Sequence, residues 1–380
     1  MQAVPDPAAP SLASPSPSPS PYPSPAQRLS LLNAWQRGFP LCDEPFTVVG
    51  AALGMPSAQV LQAYRQLAQE GALSRIGAVF APGSGGASVL AAMAVPPDRL
   101  EAVAAVVSAH PGVNHNYERE NTYNLWFVLT GASEAQVEQA MVALEAATGL
   151  SALRLPMLQP YRIDLAFDLA AGLTTGPCIG PVAVGCAALP ASQAPHGPRA
   201  AATAVLADAD WPLAALAEAG LPLVEQPYAA WAKALGTTAA QVQARLQQWV
   251  HTGVLSRFGV VVRHHELGFA ANAMTVLDVP DAQVDAAGRA LAAQPGVTLA
   301  YRRARATGWP YNLYFMVHGA HRQAVEQVLA SALERSALAD VPRAVLFSRR
   351  RFKQTGGRRF GSATPVAPQG VVQGVADAVH

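Results

Sequence analysis

Apolar residues recur along this chain with two spacings, and both spacings are used twice. Between residues 57 and 67, Val60, Leu61, Tyr64 and Leu67 sit where one face of a helix would put them, and Pro56 suits its entrance. Residues 46–54 predict a shorter helix before it, stopped by Gly54. Gly71 closes the second helix, and residues 76–80 predict a strand. Helix, short turn, helix and then GALSR is the outline of a winged helix-turn-helix. Residues 89–95 are almost wholly apolar, which predicts a strand covered on both faces. Leu100, Val103, Val106 and Val107 predict a helix over 98–109, broken by Pro111 and Gly112. Residues 115–129 predict a hairpin. Residues 133–148 predict a helix with Ser133 as N-cap and Gly149 beyond its end. This order describes a ferredoxin-like α+β module.

The same tokens then return. GFPLCDEPF at 38–46 matches GLPLVEQPY at 220–228, and GALSRIG at 71–77 matches GVLSRFG at 253–259. Pro111-Gly112-Val113 matches Pro295-Gly296-Val297, and YNLWF at 123–127 matches YNLYF at 311–315. The shifts are loop-sized, so one fold is encoded twice. The implied organisation is a Pro/Ser-rich disordered tail (1–27), helix-turn-helix 1 (28–74), module 1 (75–168), a Gly/Pro/Ala-rich linker (169–204), helix-turn-helix 2 (205–256), module 2 (257–355) and a flexible tail (356–380). Two such modules are expected to pair as a pseudo-dimer, sheet against sheet. The basic run Arg349 to Lys353, with Arg358 and Arg359, reads either as a solvated tail or as a clamp for an anion.

Composition narrows the function. Hydrophobic residues make up 51% and charged ones 13%, so sizeable cores are expected. Lys+Arg number 26 against Asp+Glu 25, which does not indicate a globally basic nucleic-acid binder. The second helix of each helix-turn-helix holds one basic residue, Arg65 or Arg245, too few for base readout, so DNA binding is not expected and the helices are read as structural. No apolar run reaches membrane-spanning length and no signal peptide is visible. Cys42, Cys178 and Cys186 are spaced for neither zinc nor a disulfide framework, and a cytoplasmic setting is expected.

The chemistry gathers before the aromatic strand of each module. The first copy offers His115, Tyr117, Arg119 and Tyr123. The second offers Tyr301, Arg302, Arg303, Trp309 and Tyr311. Guanidinium forks suit carboxylates, and Tyr and His add proton donors. Arg263, His264 and His265 form a further cluster found in the second half alone.

Helix-turn-helix units followed by ferredoxin-like modules resemble the Lrp/AsnC regulators, which makes a DNA-binding regulator or tetrapyrrole sensor the rival hypothesis. With HNYER at 115–119, RHHELGFAANAM at 263–274, YRR at 301–303 and WPYNLY at 309–314, the chain resembles one branch of that superfamily. This branch is the siroheme decarboxylases of the fused D and L type, from the heme d1 pathway. The resemblance implies loss of CO2 from two acetate side chains of siroheme, giving 12,18-didecarboxysiroheme. It implies no organic cofactor and no added metal, since the iron belongs to the substrate. Partners implied are siroheme and related G- and H-type subunits or further copies of the chain. His115 is then the first candidate for the proton donor, with Arg119 beside it. His264 is the second candidate, as acid or as axial ligand to the substrate iron, a ligand role His115 could share. Tyr117, Tyr123, Arg263, His265, Tyr301, Arg302, Arg303, Trp309 and Tyr311 are candidates for binding the macrocycle and its carboxylates. The position aligned with His115 is Leu299, so the halves do not carry the same acid. Either one site performs both decarboxylations, or two unlike sites share residues.

Overall fold

A computed structural model describes residues 23–163, 205–262 and 271–360. The 169–204 linker lies outside the described residues, as do Cys178, Cys186, Arg263, His264 and His265.

The first half begins with α1 (Pro25–Asn33), α2 (Pro45–Leu53), α3 (Ser57–Gln69) and β1 (Leu73–Phe80). It continues with β2 (Ala87–Met93), α4 (Leu100–Ala109), β3 (Val113–Arg119), β4 (Leu125–Gly131), α5 (Glu134–Thr148) and β5 (Ala152–Ile163). The second half repeats the series: α6 (Trp211–Ala219), α7 (Pro227–Leu235), α8 (Ala239–His251), β6 (Leu255–Val262), β7 (Ala271–Leu277), α9 (Val284–Ala292), β8 (Val297–Arg303), β9 (Leu313–Gly319), α10 (Arg322–Arg335) and β10 (Arg343–Gln354).

Local chemistry explains the matched ends. Helices α2 and α7 both stop at a glycine in the left-handed region, Gly54 at φ 63° and Gly236 at φ 65°. Helix α3 buries Val60, Leu61, Tyr64 and Leu67, as their spacing predicts. Helix α5 starts at Ser133, whose hydroxyl accepts from the Gln136 N–H, and ends at Gly149. The expected tail ends earlier than its composition suggests. Ser24 and Gln27 form a capping box that starts α1 at Pro25.

Two arrangements differ from the sequence-based expectation. Strands β1 and β6 stand apart from the modules and pair with each other, antiparallel, tying the two helix-turn-helix units into one platform with a common core. The two module sheets, moreover, do not stack face to face. Among the described residues, eight strands close into a barrel in the order β10-β3-β4-β2-β5-β8-β9-β7. The closure is made by the two twelve-residue strands. β5 pairs first with β2 and then with β8 of the other half, and β10 pairs first with β7 and then with β3. A sheet closed this way leaves no edge exposed, which a stacked pair would. Helices α4 and α5 cover one side of the barrel and α9 and α10 the other, each over its own apolar core. The inward side chains form a fourth core, including Trp126, Leu155, Met274, Tyr301, Trp309, Tyr314 and Leu346.

The basic run at 349–353 is thus neither a tail nor exposed as a unit, because it forms the crossing part of β10. Nor do residues 355–360 trail away. The Thr355 N–H donates to the Asn114 carbonyl, the Arg359 and Phe360 N–H groups donate to Glu218, and the Phe360 ring packs on Phe80 and Trp211 in the platform.

Candidate active site inside the barrel

Strand alternation decides which motif residues meet. On β3, Asn116 and Glu118 face outward: Asn116 donates to Ala104 O and Ser108, and Glu118 pairs with Arg350. His115, Tyr117 and Arg119 therefore face the barrel interior. The His115 and Tyr117 rings stack at 6.3 Å, and the Arg119 guanidinium lies 5.6 Å from the centre of the Tyr117 ring.

Arg119 is buried, and its Nη1 donates to Leu346 O at 3.0 Å and to Asn272 Oδ1 at 3.4 Å, both from the second half. Its Nε has no partner, and no carboxylate of the described residues lies within ion-pair reach. Burial holds its pKa down at about 10. A buried cation held by carbonyl oxygens alone is costly unless an anion completes it.

His115 is half-buried. Its Nδ1 lies 2.7 Å from Asn114 Oδ1. An amide oxygen only accepts, so Nδ1 carries the proton and Nε2 is the nitrogen left to take one. Burial first, then the positive charges of Arg75 and Arg119, depress its pKa to about 4, so the ring is neutral near pH 7. Burial likewise raises the Tyr117 pKa, against the pull of Arg119 and Arg351.

The second half places Leu299, Tyr301 and Arg303 in the corresponding inward positions. The Arg303 guanidinium lies 4.6 Å from the Tyr301 ring centre and 5.8 Å from that of Tyr314, and its Nη1 donates to Leu155 O. Its Nε, too, has no partner. Trp309 reaches across the halves, 5.6 Å from Tyr123, 5.3 Å from Trp126 and 4.9 Å from Tyr311, with its Nε1 donating to the Tyr314 hydroxyl. The structure thus gathers Tyr123, Trp309 and Tyr311 in one aromatic cluster, and His115, Tyr117 and Arg119 in another group.

Arg302 is not brought into either. It points outward to Asp281 and Asp285, at 3.8 and 3.6 Å. Two further groups near this end were not among the site residues drawn from the sequence, which took Arg351 only as part of the basic run. Arg351 lies opposite Tyr117 on β10 and donates to Gln354, which lies opposite His115. Its neighbours Arg349 and Arg350 instead face Glu118, with Glu120 or Glu101 alongside. Strand alternation would have separated Arg350 from Arg351 had residues 349–353 been read as a strand. The other missed residue is Arg75, flagged only by the repeated LSR token.

The arrangement is a barrel of AsnC-like halves with aromatic walls, buried guanidinium groups and the His115 imidazole, mounted on a helix-turn-helix platform. Comparison with known proteins agrees with that class. The profile of the AsnC-like ligand binding domain matches residues 84–162 and 266–353. The profile of the siroheme decarboxylase NirDL-like HTH domain matches residues 29–73 and 213–255. The siroheme decarboxylase NirDL subunit of Paracoccus denitrificans is 41% identical over 330 residues, covering 86% of this chain and 95% of that protein. The NirD subunit of Stutzerimonas stutzeri is 51% identical over 139 residues, 37% of this chain and 91% of that protein. The crystal structure of the siroheme decarboxylase NirDL in co-complex with an iron-uroporphyrin III analogue superposes with a TM-score of 0.59 at 26% identity, covering 88% of this chain and 94% of that one. The chain belongs to the siroheme decarboxylase NirDL family, with the D-like and L-like halves fused. Shorter relatives described as NirG and NirH subunits also match.

Proposed function

We propose that the chain is a carboxy-lyase that converts siroheme to 12,18-didecarboxysiroheme, releasing CO2 from two acetate side chains in heme d1 biosynthesis. One observation carries the reading: Arg119, a buried cation with no anion to pair it among the described residues, lies beside His115 inside an aromatic-lined barrel. A flat macrocycle ringed by carboxylates supplies both the rings for that wall and the anions for those guanidinium groups.

Each decarboxylation converts R–CH2–CO2⁻ and a proton into R–CH3 and CO2. The carbon–carbon bond breaks, its electron pair is held by the transiently protonated pyrrole, and the new methyl carbon takes a proton. His115, through Nε2, is our candidate to deliver that proton. By itself the ring is neutral, because burial first, and then the charges of Arg75 and Arg119, oppose its charging. Carboxylates brought by the substrate offset those charges, raise the imidazole pKa and load the proton as the substrate arrives. Arg119, with Tyr117, grips a carboxylate that stays. The departing carboxylate is better left without a cation, which would stabilise it.

A single principal site, built from both halves, fits the hydrogen bonds of Arg119 to Asn272 and Leu346. The regulator reading finds no support in the helix-turn-helix surfaces. Arg65 donates to Leu223 O of the other half, and Arg245 faces Asp210 and Gln248. Both basic side chains of the would-be recognition helices are engaged within the platform. The partners in this reading are siroheme and, through the G- and H-type relatives, a second related complex.

The test is anaerobic incubation of the purified chain with siroheme, followed by mass analysis of the tetrapyrrole. Two losses of 44 Da are expected without nucleotide or oxygen. Unchanged siroheme, both alone and with related G- and H-type subunits added, overturns the reading.

A further inference from the structure

The platform beneath the barrel is duplicated, yet the matched arginines of its two strands stand in different surroundings. Arg257, on β6, is buried and donates through Nη1 to Gln36 O and Val260 O. Its repeat on β1, Arg75, donates to one carbonyl, Ala78 O, and its buried Nε has no partner. Where the first copy has Gln36 the second has Glu218, at the matching offset before Gly38 and Gly220. Glu218 is buried, and its carboxylate accepts from the main-chain N–H groups of Arg359 and Phe360. Its charge acts on Arg75 through space.

The Arg75 guanidinium lies over Gly356. A Cβ there would stand 2.6 Å from Nη1 and 2.9 Å from Cζ, so a side chain at 356 would push the guanidinium aside. Gly356 is two residues beyond Gln354, which pairs with His115, and Thr355 hydrogen-bonds to Asn114 O, the residue next to His115. A Cβ on Gly357 would sit 3.4 Å from Asn114 Nδ2 and 3.7 Å from Glu218 Oε1. Arg75 therefore comes up from the platform at the end of the barrel that holds His115. Its repeat on the other half, Arg257, is spent on carbonyl oxygens.

Resting on the decarboxylase reading, we propose that Arg75 is a carboxylate-binding residue of the site, taking a peripheral carboxylate of the tetrapyrrole next to His115. The helix-turn-helix platform then contributes a floor to the site rather than a DNA surface. An arginine with unmet donors, packed on a glycine strap that leaves it room, selects for a macrocycle bearing an acid at that edge.

The experiment titrates the full chain with iron-uroporphyrin, a stable eight-carboxylate probe that binds without needing turnover, and follows siroheme turnover separately. For Arg75→Gln, binding is expected to weaken by roughly tenfold or more, with KM for siroheme raised more than kcat is lowered and the thermal midpoint close to wild type. Arg75→Lys restores part of the affinity, and Gly356→Ala, which displaces the guanidinium but keeps its charge, reproduces the loss. Arg257→Gln, the control on the other half, leaves probe affinity unchanged if folded. Unchanged affinity in both Arg75→Gln and Gly356→Ala, or equal weakening by Arg257→Gln, overturns the proposal. If wild type binds the probe and Arg75→Gln does not, while wild type leaves siroheme unchanged both alone and with G- and H-type subunits added, the assignment of Arg75 stands and the decarboxylase reading fails.

Discussion

The two halves of the barrel share strands, register and wall residues, but differ at one end of the interior. On the first half, His115 faces Gln354 and Tyr117 faces Arg351 across β3 and β10. On the second, Leu299 faces Ile163 and Tyr301 faces Pro160 across β8 and β5. Tyrosine and arginine persist on both sides, as Tyr117 with Arg119 and Tyr301 with Arg303. What changes is the titratable group and its polar surroundings. An imidazole held neutral beside two guanidinium groups is a destabilised arrangement, whereas a leucine at the same point is ordinary core. Duplication lets one half carry that cost while its twin supplies packing.

The largest expected effect tests whether the difference is functional. His115→Leu, which copies the second half onto the first, should lower siroheme turnover by about a hundredfold or more, the usual worth of a positioned acid. Adding Leu299→His to that variant should not restore it, because Ile163 and Pro160 stand where the first half has Gln354 and Arg351 and offer that ring no comparable setting. Full recovery in the double variant, read by tetrapyrrole mass analysis, would make the two ends equivalent and end the comparison.

A smaller effect concerns acid stability. The folded pKa of His115 is depressed to about 4, below the ordinary 6.5. The unfolded chain thus binds the proton first as pH falls through 6.5, and stability is lost from there down to about pH 4, where the folded form protonates too. At pH 4.5 this one group should cost about 2 kcal/mol relative to pH 7. Urea midpoints at the two pH values should therefore differ less in His115→Leu than in the wild type. Equal pH dependence in both would mean that the ring is not held neutral by burial beside Arg75 and Arg119.

Much of this fold was legible in the chain because its signals are local. Val60, Leu61, Tyr64 and Leu67 mark a helix face, Gly54 and Gly149 mark helix ends, and the repeated tokens mark the duplication. The barrel was not legible, since it depends on β5 and β10 leaving their own sheets halfway along, and no periodicity encodes a strand's second partner. The platform pairing of β1 with β6 is non-local in the same way. At the site, His115, Tyr117 and Arg119 could be found because a single token carries them at strand spacing. Arg351 and Arg75 reach the same end only through strands distant in sequence.

The smallest effect separates adjacent arginines that the sequence does not distinguish. Arg302 and Arg303 are neighbours on β8, so alternation sends one out and the other in. Arg302 spans Asp281 and Asp285 on the surface beside α9, where ion pairs contribute about 0–1 kcal/mol. Arg303 lies over Tyr301 and Tyr314 inside, bonded to Leu155 O. Arg302→Ala should leave KM for siroheme unchanged and lower stability by less than about 1 kcal/mol. Arg303→Ala should be distinctly more destabilising, since it vacates a buried cation site between two rings. Denaturant midpoints and KM measured side by side decide it: a raised KM in Arg302→Ala would place the outward residue in the substrate's path and undo the inside–outside division on which the comparison of halves depends.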